Sequence, residues 1–566
     1  MNQSVHDRMT QGVAREVCVR TNGKAMLAGS IGAVGSHYLV GLKAVNCQNG
    51  DTLASAEAEA AGRDDVLRAL GTAGNQLRQK LGESLASVQK FGRPLDQVTT
   101  SSLEALKAYS QGVQAQYVNE SDASFPYFKR AVALDPYFAR AYASLGTYYS
   151  AHNQASLSNE NYTKAFELRD RVSDRERYYI EAAYYAFVTG EQEKARQTYI
   201  DWTQTYPNDD TAHNNLGVVY STLGEFEKAA EETREANRLA PNVVGYGNLI
   251  GTYLALNRFD EAKQTFDRAI SEKLDGPGLR MQRHYLAFVQ GDNAAMAEQV
   301  RAVAGKPGEE DTLIAAQSDS EAYFGRLGKA RELTRRAMDS AKSNGAPETA
   351  AIWALYGAIR EAEFGNAART REISNEAIAL KGGRDVELLS AVALARAGDA
   401  ARSQGLADKI SREFPLDTVL QRYWLPVIEA SNELNRGNAQ RGLDILLPIA
   451  SYDFYSPPQF QIEPIYPAYI RGEAYLKLGD GPKAAAEFQK LPDHRGMVIN
   501  APIGALAHLG IARAYALEAH SANGAAAASA LTKARAAYQD FLALWKDADP
   551  DIPILKEAKA EYAKLQ

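Results

Sequence analysis

The sequence predicts a mostly α-helical protein: a right-handed α-solenoid of helix–turn–helix repeats behind a small N-terminal α/β module. Three observations carry this. Residues 213–241, HNNLGVVYSTLGEFEKAAEETREANRLAP, place apolar and small residues at helical spacing, with glycines at 217 and 224 and a stop at Pro241. Related patterns recur at intervals of about 34 residues on both sides, the mark of a repeat architecture. The first hundred residues instead alternate apolar and polar positions with the two-residue period of strands.

Composition narrows the function classes. Of 566 residues, 45% are hydrophobic and 23% charged, enough to fill cores and keep a polar surface. Lys and Arg number 63 against 70 Asp and Glu, a net charge of −7, which argues against a general nucleic-acid or polybasic membrane binder. No run approaches the ~18 apolar residues of a membrane span. The N-terminal residues lack the apolar stretch of a secretory signal. With only two cysteines, Cys18 and Cys47, a disulfide scaffold and cysteine-held zinc or iron–sulfur centres are excluded.

In chain order, residues 1–88 read as the α/β module. A helix near 8–19 precedes strands in KAMLAGSI, HYLVGLKAVNC and TLASAEAEA, with GAVGS and QNGD as turns. Tyr38, Val40, Leu42 and Ala44 share one buried face. Asp64 or Asp65 caps a helix whose Val66, Leu67, Leu70 and Leu77 line one side. The glycines of GSIGAVG (29–35) lie between strands with no helix following, so they read as a hairpin turn and not a phosphate site. Residues 89–102 form a linker. Well-formed repeats fill 103–275, with corresponding positions counted from Ala105, Ala139, Glu176, Asp210 and Val243. Looser copies fill 276–450, turning at Gly365, Gly398 and Gly437. A tyrosine- and proline-rich loop, 451–464, is either an ordered insertion or a partner contact. Residues 465–566 return to clear repeats, through Gly472, Tyr475, Gly479, Ala484 and Phe488, and end in a capping helix. Eleven or twelve units fit between 103 and 566.

These residues resemble the tetratricopeptide repeat. Gly217 and Ala229 fall where the two helices of a unit cross, and a larger side chain there would push the axes beyond ~8–10 Å. Gly224 lets the chain reverse, and Pro241 stops the second helix. In such a solenoid the first helix of each unit lines the concave face. That assignment makes Tyr109, Val113, Ala143, Thr147, Ile180, Tyr184, Asn214 and Val218 the candidate binding residues, with Gly247 beyond them. They mix small, aromatic and amide groups and lack the lysines and arginines with which chaperone-tail binders of this family clamp a carboxylate. An extended peptide held by aromatic contacts and Asn-to-backbone hydrogen bonds fits better.

A second resemblance covers nearly the whole chain. LAGSIGAVGSHYLVGLKAVNCQNGD and LGESLASVQKFGRPLDQVTTSSLEALKAYSQG are similar to the region after the membrane span of large acidobacterial serine/threonine protein kinases. So are EFQKLPDHRGMVINAPIGALAHLGIARAYAL and YQDFLALWKDADPDIPILKEAKAEYAKLQ. In that family a kinase domain and one membrane helix precede a TolB-like α/β module and tetratricopeptide repeats. The Gly-rich loop, VAIK, HRD and DFG motifs of a kinase are absent from this sequence, so kinase activity does not carry over. The resemblance implies that the chain starts inside the α/β module and lies outside the cytoplasm. Without it, the residues read as a cytoplasmic protein.

The remaining chemistry is sparse. The eight histidines are scattered without metal-ligand spacing, and His213 occupies a packing position. Asp493 and His494 are adjacent and so do not face one another on a helix; DHRG reads as a capped turn with Arg495 in an ion pair. Cys18 and Cys47 are placed either to bridge, in an oxidising compartment, or to sit as two buried thiols. The sequence therefore predicts a non-enzymatic scaffold, without cofactor or metal, that holds a protein or peptide partner as the sensor part of a signalling kinase. A free-standing assembly scaffold is the alternative, and an enzyme hidden in the divergent middle repeats a second.

Overall fold

The computed structural model describes residues 10–566 except 21–22, 92–94, 96–98, 118–120, 307 and 456–463. Much of the 89–102 linker and of the tyrosine- and proline-rich loop therefore lies outside the described residues. The chain divides into two compact units: Met1–Tyr148 with Glu160–Tyr184, and Tyr149–Asn159 with Tyr185–Gln566.

The first unit opens with a helix at Gln11–Arg20 and an antiparallel sheet of β1 (Ala25–Val34), β2 (His37–Asn46) and β3 (Thr52–Ala60), in the order β1-β2-β3. Val40 and Ala44 of β2 and Ala56 and Ala60 of β3 are buried. They pack with Val66, Ala69, Ala73 and Leu77 of the helix Val66–Lys80, the face that alternation in the sequence selects. Asp65 occupies the N-cap position of that helix, but its carboxylate makes no capping hydrogen bond. The glycine-rich stretch differs from expectation: β1 runs on to Val34, and Val34 pairs directly with His37. Only Gly35 and Ser36 are left to turn, and Gly35 takes φ +65°, a conformation that costs a residue without Cβ little. Cys18 and Cys47 are joined by a disulfide. Arg15 donates from Nε to the Cys47 carbonyl at 2.9 Å, fastening the first helix to the end of β2.

Helix hairpins then follow one another, from Leu103–Tyr117 with Ser121–Leu134 to Pro502–Ser521 with Gly524–Leu544, closed by the helix Pro553–Ala563. The small residues do what their spacing implies. A Cβ added at Gly217 would lie 2.6 Å from Thr233 Cγ2 and 3.2 Å from the Ala229 carbonyl oxygen. At Gly472 and Gly146 it would meet the rings of Phe488 and Tyr162 at 2.8 and 2.9 Å. Gly224, Gly365, Gly398, Gly437 and Gly479 all turn with φ between +72° and +90°. Two π-helical stretches, Tyr184–Thr189 and Leu420–Trp424, interrupt the regular hairpins.

Within the second unit the ends of hairpins are held by residues far along the chain. Glu348 accepts from the N–H and hydroxyl of Ser156, at 3.1 and 2.9 Å across 192 positions. The backbone N–H of Thr418 donates to the Gly190 carbonyl at 2.9 Å. Asn257 accepts from the Gly496 N–H at 2.8 Å and donates to the Asp493 carbonyl at 2.7 Å. Trp545 donates from Nε1 to the Tyr323 carbonyl at 2.9 Å. The DHRG stretch belongs to this set. Arg495, expected in an ion pair, instead donates to the Val289 carbonyl at the end of the helix Pro277–Gln290 and lies over the Phe259 ring. A cation there also meets the negative end of the helix dipole.

Candidate functional site: first-helix faces of the repeats

The first helices of successive hairpins present the residues that the repeat pattern assigns to binding. In the first unit most of these take part in packing. Tyr109 sits between Phe128 and Phe138, with ring centroids 5.6 and 5.1 Å apart. Val113 is half-buried, whereas Ala143 and Ile180 are completely buried and offer a ligand no surface. The Thr147 hydroxyl lies 3.0 Å from that of Tyr162 and 2.5 Å from that of Tyr179. Tyr184 stacks on Phe166 at 3.9 Å.

In the second unit the arrangement is different. Asn214 and Val218, on the helix Asp210–Thr222, are half-buried. Asn248, at the matching position of the helix Val243–Ala255, donates from Nδ2 to Asn214 Oδ1 at 2.9 Å across 34 positions. Asn214 in turn donates to Asn215 at 3.0 Å. Gln282 stands at the next matching position, on the helix Pro277–Gln290, with its Oε1 buried and unpartnered. A run of carboxamides at the repeat interval thus lies along three neighbouring first helices. Each amide carries both donor and acceptor, the complement of an extended backbone. Gly247 is buried against the next first helix, where an added Cβ would touch the Gly278 backbone at 3.8 Å, so it offers a ligand no surface. The sequence points to Asn214; it misses Asn248 and Gln282, although their 34-residue spacing was the available signal.

His213 is occupied structurally, with Nδ1 2.6 Å from Glu232 Oε2 and Nε2 3.1 Å from the Pro207 carbonyl. Several buried charges form ion-pair networks. Arg396 makes paired contacts to Glu363 at 2.6 and 3.0 Å and to Glu473 at 2.7 Å through two nitrogens. Arg471, completely buried, bonds Asp453 at 3.0 and 2.6 Å and Glu487 at 2.7 Å. Such pairs fix local geometry, and each is costly to break because the remaining charge stays buried. Among the described residues no group of three or more His, Cys, Asp or Glu side chains could hold a metal ion. No helix of the described residues is long and apolar enough to cross a membrane.

A helical-repeat architecture with half-open first-helix faces defines the class. Residues 210–243 and 251–275 match the family model described as tetratricopeptide repeat, and the chain carries such repeats. The chain is 31% identical over 97 residues to the photosystem I assembly protein Ycf3 of Rippkaea orientalis, covering 15% of this chain and 56% of that one. It is 30% identical over 91 residues to Ycf3 of a Synechococcus strain, covering 16% and 53%. The chain thus spans about half the length of these curated relatives. Among solved structures, Pseudomonas aeruginosa PilF matches 37% of this chain at 18% identity and TM-score 0.24, covering 96% of its own length. Yeast Tom70 matches 75% at 11% identity and TM-score 0.38, covering 99% of its own length.

Proposed function

We propose that this protein is a non-catalytic scaffold that holds an extended segment of a partner protein along the first-helix faces of its repeats. The observation that carries the reading is the Asn214–Asn248 hydrogen bond at the repeat interval, with Gln282, whose Oε1 has no partner, at the next matching position. An amide row of this kind suits a peptide backbone, whose N–H and C=O groups need partners once water is displaced. The repeat family and the assembly role printed in the name of Ycf3 support a role in protein association. The test is titration of the purified chain with a library of extended peptides. Saturable binding should weaken about tenfold in N214A/N248A, since each lost hydrogen bond contributes roughly 0.5–1.5 kcal/mol. Peptide binding unaffected by the double substitution would overturn the reading.

The finer part of the proposal is that these repeats form the sensor half of a membrane signalling kinase. The similarity of both ends of the sequence to such kinases motivates it. The Cys18–Cys47 bridge also favours an oxidising compartment. An antibody to the repeats should then detect a membrane-bound species well above 61.7 kDa. A species of that mass in the soluble fraction would leave only the free-standing scaffold.

A further inference from the structure

The sheet of the first unit has two outer strands, and they are unlike. β3 carries the devices that keep an edge from pairing. Glu57 and Glu59 stand exposed on it, and its Ser55 carbonyl already accepts from Lys80 Nζ at 2.6 Å. β1 has neither. Its sequence, AMLAGSIGAV, holds no charge and no proline, and every residue but Met26 is exposed. Leu27 and Ile31 are 69% and 58% exposed, although they pair with the buried Ala44 and Val40 of β2. The helix Val66–Lys80 packs on that face over β2 and β3, so along β1 the same face is apolar and uncovered.

The backbone of β1 is equally open. The Cys47 N–H donates to the Lys24 carbonyl at 3.2 Å, which fixes the even-numbered residues as those that bond β2. Ala25, Leu27, Gly29, Ile31 and Ala33 therefore turn their N–H and C=O groups to the outer edge. A long strand with a free polar backbone and apolar sides is a template for another strand.

The strand also matches itself. Antiparallel pairing about Gly29 sets Leu27 opposite the partner's Ile31, and by symmetry Ile31 opposite the partner's Leu27. Ala25 then meets the partner's Ala33. In this register every outward backbone group from Ala25 to Ala33 is paired and no like charges meet. The exposed Leu27 and Ile31 side chains cover one another on the helix-bearing face. We propose that β1 pairs with β1 of a second copy of this chain, joining two three-stranded sheets edge to edge in a two-fold dimer. Only the guarded β3 edges then remain outside, so growth stops at two chains. The pairing is independent of what the repeats hold.

The test is the mass of the full chain by light scattering, together with hydrogen exchange of the β1 amides. Twice 61.7 kDa is expected, with the Leu27, Gly29 and Ile31 amides protected. Leu27→Lys/Ile31→Lys sets like charges opposite one another and should give monomers that lose this protection. Leu27→Lys/Ile31→Glu sets opposite charges across the same pairs and should restore the dimer, which an unfolded variant would not do. A monomeric native chain overturns the proposal. Protected β1 amides would then assign the edge to the chain's own residues, and freely exchanging ones to a strand of another protein. A dimer that survives Leu27→Lys/Ile31→Lys overturns it too, as does growth beyond two chains or failure of Leu27→Lys/Ile31→Glu to restore pairing.

Discussion

Single residues show both what the sequence reveals and what it conceals. Gly217 was legible because a crossing of two helices admits no side chain there, and the structure places Thr233 and Ala229 against it. Asp319 and His284 were not. Their chemistry depends on neighbours from other repeats, which no local pattern records. Burial raises Asp319 from 3.8 to about 6 and lowers His284 from 6.5 to about 4. The two linkages run in opposite directions. Asp319 binds its proton more readily when folded, so its stabilisation is complete below pH 3.8 and is lost as pH rises through 6. His284 favours the folded state above pH 6.5, and that contribution is lost as pH falls through 4. In the native chain they offset one another between these limits. In urea melts at pH 7 and 4.5, D319N should lose more stability on acidification than the native chain, and H284Q less. Unchanged slopes in both variants would contradict these environments.

At the scale of elements, period and turn chemistry sufficed for most of the chain. Alternation selected Val40 and Ala44 as buried strand positions, and the helix facing them follows from its own apolar stripe. The GSIGAVG stretch was misplaced because glycine signals a turn, while a tight hairpin needs only Gly35 and Ser36; the remaining glycines stay in β1. The disulfide was left open by the sequence because spacing does not decide pairing. Closing a loop of 29 positions, it stabilises the first unit by roughly 3–4 kcal/mol on the loop-entropy model. The amide row was half legible. Asn214 stands in a well-formed repeat, whereas Gln282 belongs to a divergent one where the register was loose. The ion pair of Arg360 with Asp319 was invisible for the same reason: its members come from different middle repeats and meet only through packing.

At the scale of the whole molecule, each compact unit carries its own logic. Solenoids are ordinarily described by contacts between neighbouring repeats. The second unit departs from that description. Ser156 with Glu348, Gln192 with Thr418, and Gly496 with Asn257 are 192, 226 and 239 positions apart. Contacts of this range tie distant hairpins into one body, and no repeat alignment predicts them. In the same unit Asn214, Val218 and Asn248 are half-buried, and the scaffold proposal rests on their faces being reached by a partner. The most direct measurement of that reading is site-specific photocrosslinking in native cells. One probe replaces Val218 on a first helix, and the other replaces exposed Lys263 on a second helix. A discrete partner should be captured from position 218 and not from 263. Capture of the same partner from 263 alone would show that binding uses the opposite face and would contradict it.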